Sequence, residues 1–340
     1  MKTLNKTSKF LILILATIFT SCELETEIDY NTKDTQPFLV MFSFLNPDSV
    51  FSANIDIARN ILDTTTFTDL SNSEVSVYED DLFLEKLKLI APNSYKGDNK
   101  PKLGKKYRIN VENQNYQTIE ATATEKEKPW IENLEYIPSI GNFRRMQFKF
   151  DLHDNIDDKN YYRLVAFEIR EFTKPLPESH IQDHNYNNDI LKIVGNKAIR
   201  QLRLSSDQAI FAVSDDGRPG DVGGEDFPNK YMIFKDDIFN GQNFKVVFDC
   251  KNGGSTPSND TMKVYLTISL QNISKDYFLF LQTDQSQFIH YNDPFVEPVQ
   301  IHTNVKNGAG IFGSYRSGEL TLSNDSILAL ENRGKSPIKF

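Results

Sequence analysis

The run "HIQDH" sets His180 and His184 four residues apart, a spacing that on a helix puts both imidazoles on one face, where zinc hydrolases hold their metal. Ile181 stands where such enzymes carry a glutamate base, and the flanking "KPLPESHIQDHNYNND" reads as loop. Solvated histidines are therefore the expected reading. A second cluster, "SDDGRPGDVGGEDF" (Ser214–Phe227), gathers Asp215, Asp216, Asp221, Glu225 and Asp226 among glycines. Hard carboxylate oxygens suit calcium, but the order is not that of an EF-hand, so a calcium loop and a flexible acidic loop both stay open. Asp157 and Asp158 could act as a glycosidase pair only if folding set two carboxylates about 5 to 9.5 Å apart. The G-x-S-x-G elbow, the G-x-x-x-x-G-K-[ST] loop and a strand-linked G-x-G-x-x-G are all absent, which removes the commonest hydrolase and nucleotide signals. No catalytic residue and no cofactor is expected, with calcium left open at the acidic loop.

Cys22 is the remaining reactive candidate. Behind Lys2, Lys6 and Lys9 run the apolar residues Phe10–Phe19, which as a helix would cover roughly 15 Å, about half a bilayer's hydrocarbon core. This stretch is too short to span and has the three parts of a signal peptide over residues 1–21. "FTSC" looks like a relaxed bacterial lipobox, in which the thiol of Cys22 would be acylated and become the first mature residue. Several acyl chains hold a protein on a membrane essentially permanently. Cys250, the only other cysteine, is then left without a disulfide partner and reads as a buried small hydrophobe.

The acidic stretch over residues 22–36 carries Glu23, Glu25, Glu27 and Asp29 on alternate positions and has too little apolar surface to fold alone. It is a solvated tether; it also resembles the signal that sends Bacteroidota lipoproteins to the cell surface. The whole chain carries a formal charge of −9, and removing the leader lysines makes it more acidic. Neither nucleic acid nor an anionic membrane surface is an expected partner.

The elements that must position any site are strands. "FLVMFSFL" (Phe38–Leu45), "SANIDIA" (Ser52–Ala58), "EVSVYED" (Glu74–Asp80), "LEKLKLI" (Leu84–Ile90) and "KYRINVE" (Lys106–Glu112) are short runs between Asn, Asp, Pro and Gly clusters, several of them alternating. They predict an Ig/transthyretin-like antiparallel β-sandwich over residues 37–125, with a boundary at the charged "TEKEKPW". A larger β-rich domain over residues 130–340 follows, with strands at Arg145–Asp154, Tyr161–Phe172, Ala198–Ser205, Phe244–Cys250 and Met262–Gln271. It holds one short helix in "ISKDYFLFLQTDQSQF", with Ser274 as N-cap and Tyr277, Leu281 and Phe288 on one face. Aromatic content of 12% could supply sugar- or peptide-stacking platforms but is more simply core.

The end of the chain reads as a strand entering a tight glycine turn at Gly308, Gly310 and Gly313 and leaving as another strand, after Pro294 and Pro298 bar a helix. Its spacing, "PFVEP" followed by "NVKNGAGIFG", resembles a large family of Bacteroidota outer-membrane lipoproteins described only as a domain of unknown function. The lipobox, "SEVSVYED", "PKLGKKYRINVE" and "KNYYRL" fit the same family, and Ala309 replaces its usual leucine. The resemblance implies no catalytic residues. It implies a gene neighbourhood with TonB-dependent receptors, and hence a binding or accessory role beside such a transporter. A structural or adhesive surface protein and, less favoured, a surface glycan or peptide hydrolase are the alternatives. Phe295, Ile311 and Phe312 are candidate contacts for a receptor if they face outward; the competing reading puts Ile311 and Phe312 in the core.

Overall fold

Period-two alternation settles which side of each strand is buried. The computed structural model describes residues 36–60, 69–137, 145–156, 159–174, 191–212, 229–251, 258–290, 299–323, 325 and 338–339. One compact unit comprises Pro37–Ala58 and Thr65–Phe340. Its first strands are β1 (Phe38–Leu45), β2 (Ser52–Ala58), β3 (Glu74–Glu79), β4 (Leu82–Lys86), β5 (Lys88–Ala91), β6 (Ser94–Lys96), β7 (Lys106–Asn113) and β8 (Tyr116–Thr124). Next come β9 (Trp130–Ile137), β10 (Arg145–His153), β11 (Tyr161–Phe172), β12 (Leu191–Val194), β13 (Lys197–Gln201) and β14 (Arg203–Ser205). Then follow β15 (Ile233–Lys235), β16 (Asn243–Lys251), β17 (Met262–Ile273), helix α1 (Lys275–His290), β18 (Ala309–Ser323) and β19 (Ile338–Lys339). The chain is mainly β, with one α-helix among the described residues.

A large sheet runs in the order β12-β13-β11-β17-β18-β1-β2-β6-β5, with β15 also beside β11. Its β1–β2–β6 half faces the four-stranded sheet β4-β3-β7-β8 across a core that includes Leu39, Met41, Ile55, Val75, Val77, Ile109, Val111 and Phe312. Its β11–β17 half faces the five-stranded sheet β14-β16-β10-β9-β19 across a second core with Leu164, Ile268 and Leu270 opposite Phe148, Phe150 and Phe248. On the opposite face of the large sheet, Tyr277, Phe278 and Leu281 of α1 pack with Tyr161, Ile273 and Phe44.

Among the described residues one pairing is parallel. β18 joins β1 from Val40↔Ala309 to Leu45↔Ser314, while its other edge pairs antiparallel with β17. The stretches 37–125 and 130–340 thus contribute strands to the same sheet.

Several expected elements differ in detail. "LEKLKLI" is two strands in two sheets: β4 ends before Leu87, which is 4% exposed and donates its N–H to the Val75 carbonyl at 2.8 Å, and β5 begins beyond it in the large sheet. "AIRQLRLS" divides the same way at Leu202, which is 5% exposed with its N–H on the Ala166 carbonyl at 2.8 Å. In each case a leucine plugs the core while the chain crosses between layers, as at the corners of other β-sandwiches. The strand expected to lead into the glycines is an irregular segment over residues 299–305, and Lys306 forms an isolated bridge with Glu120. Gly310 and Gly313 lie inside β18, past the turn. The helix has the expected cap: the Ser274 carbonyl accepts from the Phe278 N–H at 2.9 Å, and its hydroxyl accepts the Tyr277 N–H at 3.4 Å. Phe288 is 67% exposed, whereas Tyr277 and Leu281 are buried. The Lys230 ammonium lies over its ring instead, 4.8 Å from the centroid.

Candidate functional site

Because Phe148, Phe150 and Leu152 fill the core, the alternate residues Lys149, Asp151 and His153 of β10 are turned to the outer face of the five-stranded sheet. Register lines them up with their neighbours. His153 lies between Trp130 on β9 and Asn243 on β16, and Asp151 between Glu132 and Lys245. The imidazole of His153 stacks on the indole of Trp130, with ring centroids 4.1 Å apart and planes at 24°. Its Nδ1 meets Asn243 Oδ1 at 2.6 Å and its Nε2 meets Glu132 Oε1 at 2.9 Å. Both edges of the ring are held, so its plane is fixed against the tryptophan.

The next row is ionic. Lys245 reaches Asp151 at 3.1 Å, and Asn133, in a left-handed conformation with φ 54, donates to the same carboxylate at 2.9 Å. Burial alone would raise the Asp151 pKa, but these hydrogen bonds and the lysine charge outweigh it and hold the carboxyl below the usual range. It is ionised at neutral pH and cannot serve as a general acid. Lys149 pairs with the buried Glu135 at 2.7 Å.

Trp130 is 61% exposed. It also lines a cleft of about 320 Å³ with Lys128, Pro129, Ile131, Gly318 and Glu319. Gly318 lets β18 pack closely on the connection before β9, since a Cβ there would come within 2.8 Å of the Pro129 carbonyl. The lining of this shallow hollow brings together an aromatic residue, an amine and an acidic residue, the last from β18 of the large sheet. Neither Trp130 nor His153 was singled out by sequence motif. The available signal was the alternation of Lys149, Asp151 and His153 with apolar residues, together with the chain's single tryptophan beside Pro129.

The terminal motif is built inward. Asn304 accepts the Phe312 N–H on Oδ1 at 2.9 Å and donates Nδ2 to the Phe312 carbonyl at 2.9 Å and to Thr122 at 3.3 Å. Asn307 takes a left-handed φ of 59 and donates to the Thr118 carbonyl at 3.2 Å. Lys306 bonds Glu120 through both its N–H and its ammonium, each at 2.8 Å. A Cβ on Gly308 would meet the Leu39 carbonyl at 2.5 Å, and one on Gly310, at φ 101, would fall on the Met41 carbonyl. A Cβ on Gly313 would sit 2.9 Å from Tyr277. The segment is a clasp that straps β8 to the β1–β18 pair. Ile311 and Phe312 are both 0% exposed, and β18 has a strand on each side, so neither residue offers an apolar tip and the strand is not a free edge.

Cys250 is 0% exposed in the core, where burial pushes its thiol up to about 12. Cys22, the acidic run Glu23, Glu25, Glu27 and Asp29, the loop with Asp215, Asp216, Asp221, Glu225 and Asp226, and Phe295, His180, His184, Asp157 and Asp158 lie outside the described residues. Among the described residues there is no cluster of three or more His, Cys, Asp or Glu suited to a metal, and no helix long and apolar enough to cross a membrane.

The model of one protein family, Domain of unknown function (DUF4249), matches residues 25–321. The chain is a member of the DUF4249 family. No curated protein matches it. The DUF4249 match starts inside the acidic run and ends within β18, so it takes in both cores, the clasp and the tryptophan face. The family description names no activity. Within the DUF4249 domain the outer face of the five-stranded sheet presents one group of polar side chains, His153, Asp151, Lys245 and Lys149.

Proposed function

We propose that this DUF4249 protein is a surface lipoprotein of the outer membrane, made by a member of the Bacteroidota, that serves as a non-enzymatic binding or accessory subunit of a TonB-dependent transporter. The observation that carries the reading is the spacing at the start of the chain. The family match begins at residue 25, three residues behind the cysteine of a lipobox-like sequence, which supports reading Cys22 as the acylated first residue of the mature domain. A binding role is in keeping with the open face, where the described carboxylates Asp151, Glu132 and Glu135 are tied to Lys245, His153 and Lys149.

Affinity purification of the tagged protein from detergent-solubilised outer membranes tests the partner: a TonB-dependent receptor should be enriched, and its absence removes the transporter role. Cys22→Ala should release the protein into soluble fractions. Neutralising Glu23, Glu25, Glu27 and Asp29 should leave it acylated but shielded from external protease. Full membrane retention of the first variant, or unchanged accessibility of the second, would overturn the anchor or the surface placement respectively.

A further inference from the structure

We propose that the Trp130 cleft binds a neutral pyranose unit of a glycan, with the ring stacked on the indole and its hydroxyls bonded to Glu319 and Lys128. The proposal rests on the reading of the protein as a binding subunit and names its ligand class.

The large apolar side chains of this fold are mostly buried, yet the only tryptophan of the chain is 61% exposed and held in place by His153. Fixing an exposed ring in this way costs nothing further when a ligand arrives, which is the condition for a stacking platform. The cleft beside it, about 320 Å³, lies at the small end of ligand sites, which run roughly 300 to 1,000 Å³. That is room for a single sugar ring with the rest of a chain extending into solvent.

The lining chooses among ligands. Lys128 and Glu319 carry opposite charges, so the hollow has no sign preference, and the chain's −9 charge disfavours anions. An ammonium supplies donors, a carboxylate supplies acceptors and the indole supplies an apolar plane. A pyranose uses all three at once, through its hydroxyl edge and its C–H face.

The single tryptophan makes the test specific. The full-length acylated protein in detergent is titrated with neutral gluco-, manno-, galacto- and xylo-oligosaccharides and, separately, with a proline-rich peptide, while tryptophan emission is followed. At least one oligosaccharide should give a saturable change. Calorimetry should then show affinity reduced at least tenfold in Trp130→Ala and at least threefold in Glu319→Gln, with both variants melting within a few degrees of the parent. No saturable response to any of these sugars, undiminished affinity in both variants, or a response to the peptide alone would each overturn the proposal. Receptor co-purification is read on the same preparations. A receptor without a sugar response removes only this site, and a sugar response without a receptor removes only the transporter role.

Discussion

Asn304 gives its side-chain amide to the main chain of Phe312 and Thr122, whereas His153 gives both ring nitrogens to other side chains, Glu132 and Asn243, on an open sheet face. The two regions are built from similar polar residues with opposite consequences. In the clasp, Asn304 and Asn307 bond main-chain groups beside the irregular segment 299–305, and Lys306 adds an ion pair with the Glu120 side chain. On the tryptophan face the ring nitrogens of His153 and the carboxylates of Asp151 and Glu132 meet other side chains rather than the main chain. Bonds of the first kind fix a fold. Bonds of the second kind can be exchanged for bonds to a ligand.

If that contrast is right, the clasp should fail first. Gly310→Ala puts a methyl on the Met41 carbonyl at a backbone angle that only glycine tolerates, and it should cost more than about 4 kcal/mol. The expected result is loss of a cooperative thermal transition; a variant that melts normally would mean that β18 does not approach β1 so closely. Phe312→Ala, which empties a fully buried site between the two sheets, should cost about 3 to 5 kcal/mol in denaturant unfolding. A cost below about 1 kcal/mol would return Phe312 to the surface.

Glu125 sits where the two regions join, just after β8 and before the connection that carries Lys128 and Trp130. It is 4% exposed, and no other side chain hydrogen-bonds its carboxylate. Burial raises its pKa to about 7, only partly offset by Arg316 and Lys126, with Asp48 adding to the rise. A carboxyl whose folded value lies above its unfolded value favours the fold while protonated. The stability it contributes is therefore complete below about pH 4.5 and is lost as pH rises through about 7. Glu125→Gln should be more stable than the parent by about 2 kcal/mol at pH 8, allowing for screening. The two proteins should converge near pH 4.5, as measured by urea unfolding across that range. Equal stability at both pH values would mean that Glu125 finds a partner.

The strands were legible because their faces alternate. Phe38–Leu45, Ser52–Ala58 and Tyr161–Phe172 form with the bounds their composition suggests. Leu87 and Leu202 were not legible as corners, since a leucine that continues a strand and one that crosses between sheets have the same local sequence. The parallel pairing of β1 with β18 joins residues 269 apart and leaves no local pattern. At the clasp the glycines were visible, and the reason for them was not: the turn needs only the left-handed Asn307, while Gly308, Gly310 and Gly313 answer to the Leu39 carbonyl, the Met41 carbonyl and Tyr277. Trp130 passed as one aromatic among many because exposure is a property of the assembled sheet.

The smallest effect carries the most weight for the comparison. Trp130 touches His153 on an exposed face and leaves no cavity when truncated, so Trp130→Ala should change unfolding free energy by about 1 kcal/mol or less. His153→Ala should do the same while leaving the indole in place but free to reorient, since the imidazole is what fixes its plane. Tryptophan emission anisotropy in the His153 variant should therefore fall although the melting temperature does not. If instead either variant destabilised the protein as much as Phe312→Ala, the outer row would be part of the fold's framework in the way the clasp is, and the distinction between side chains spent on the main chain and side chains left for a ligand would not hold in this molecule.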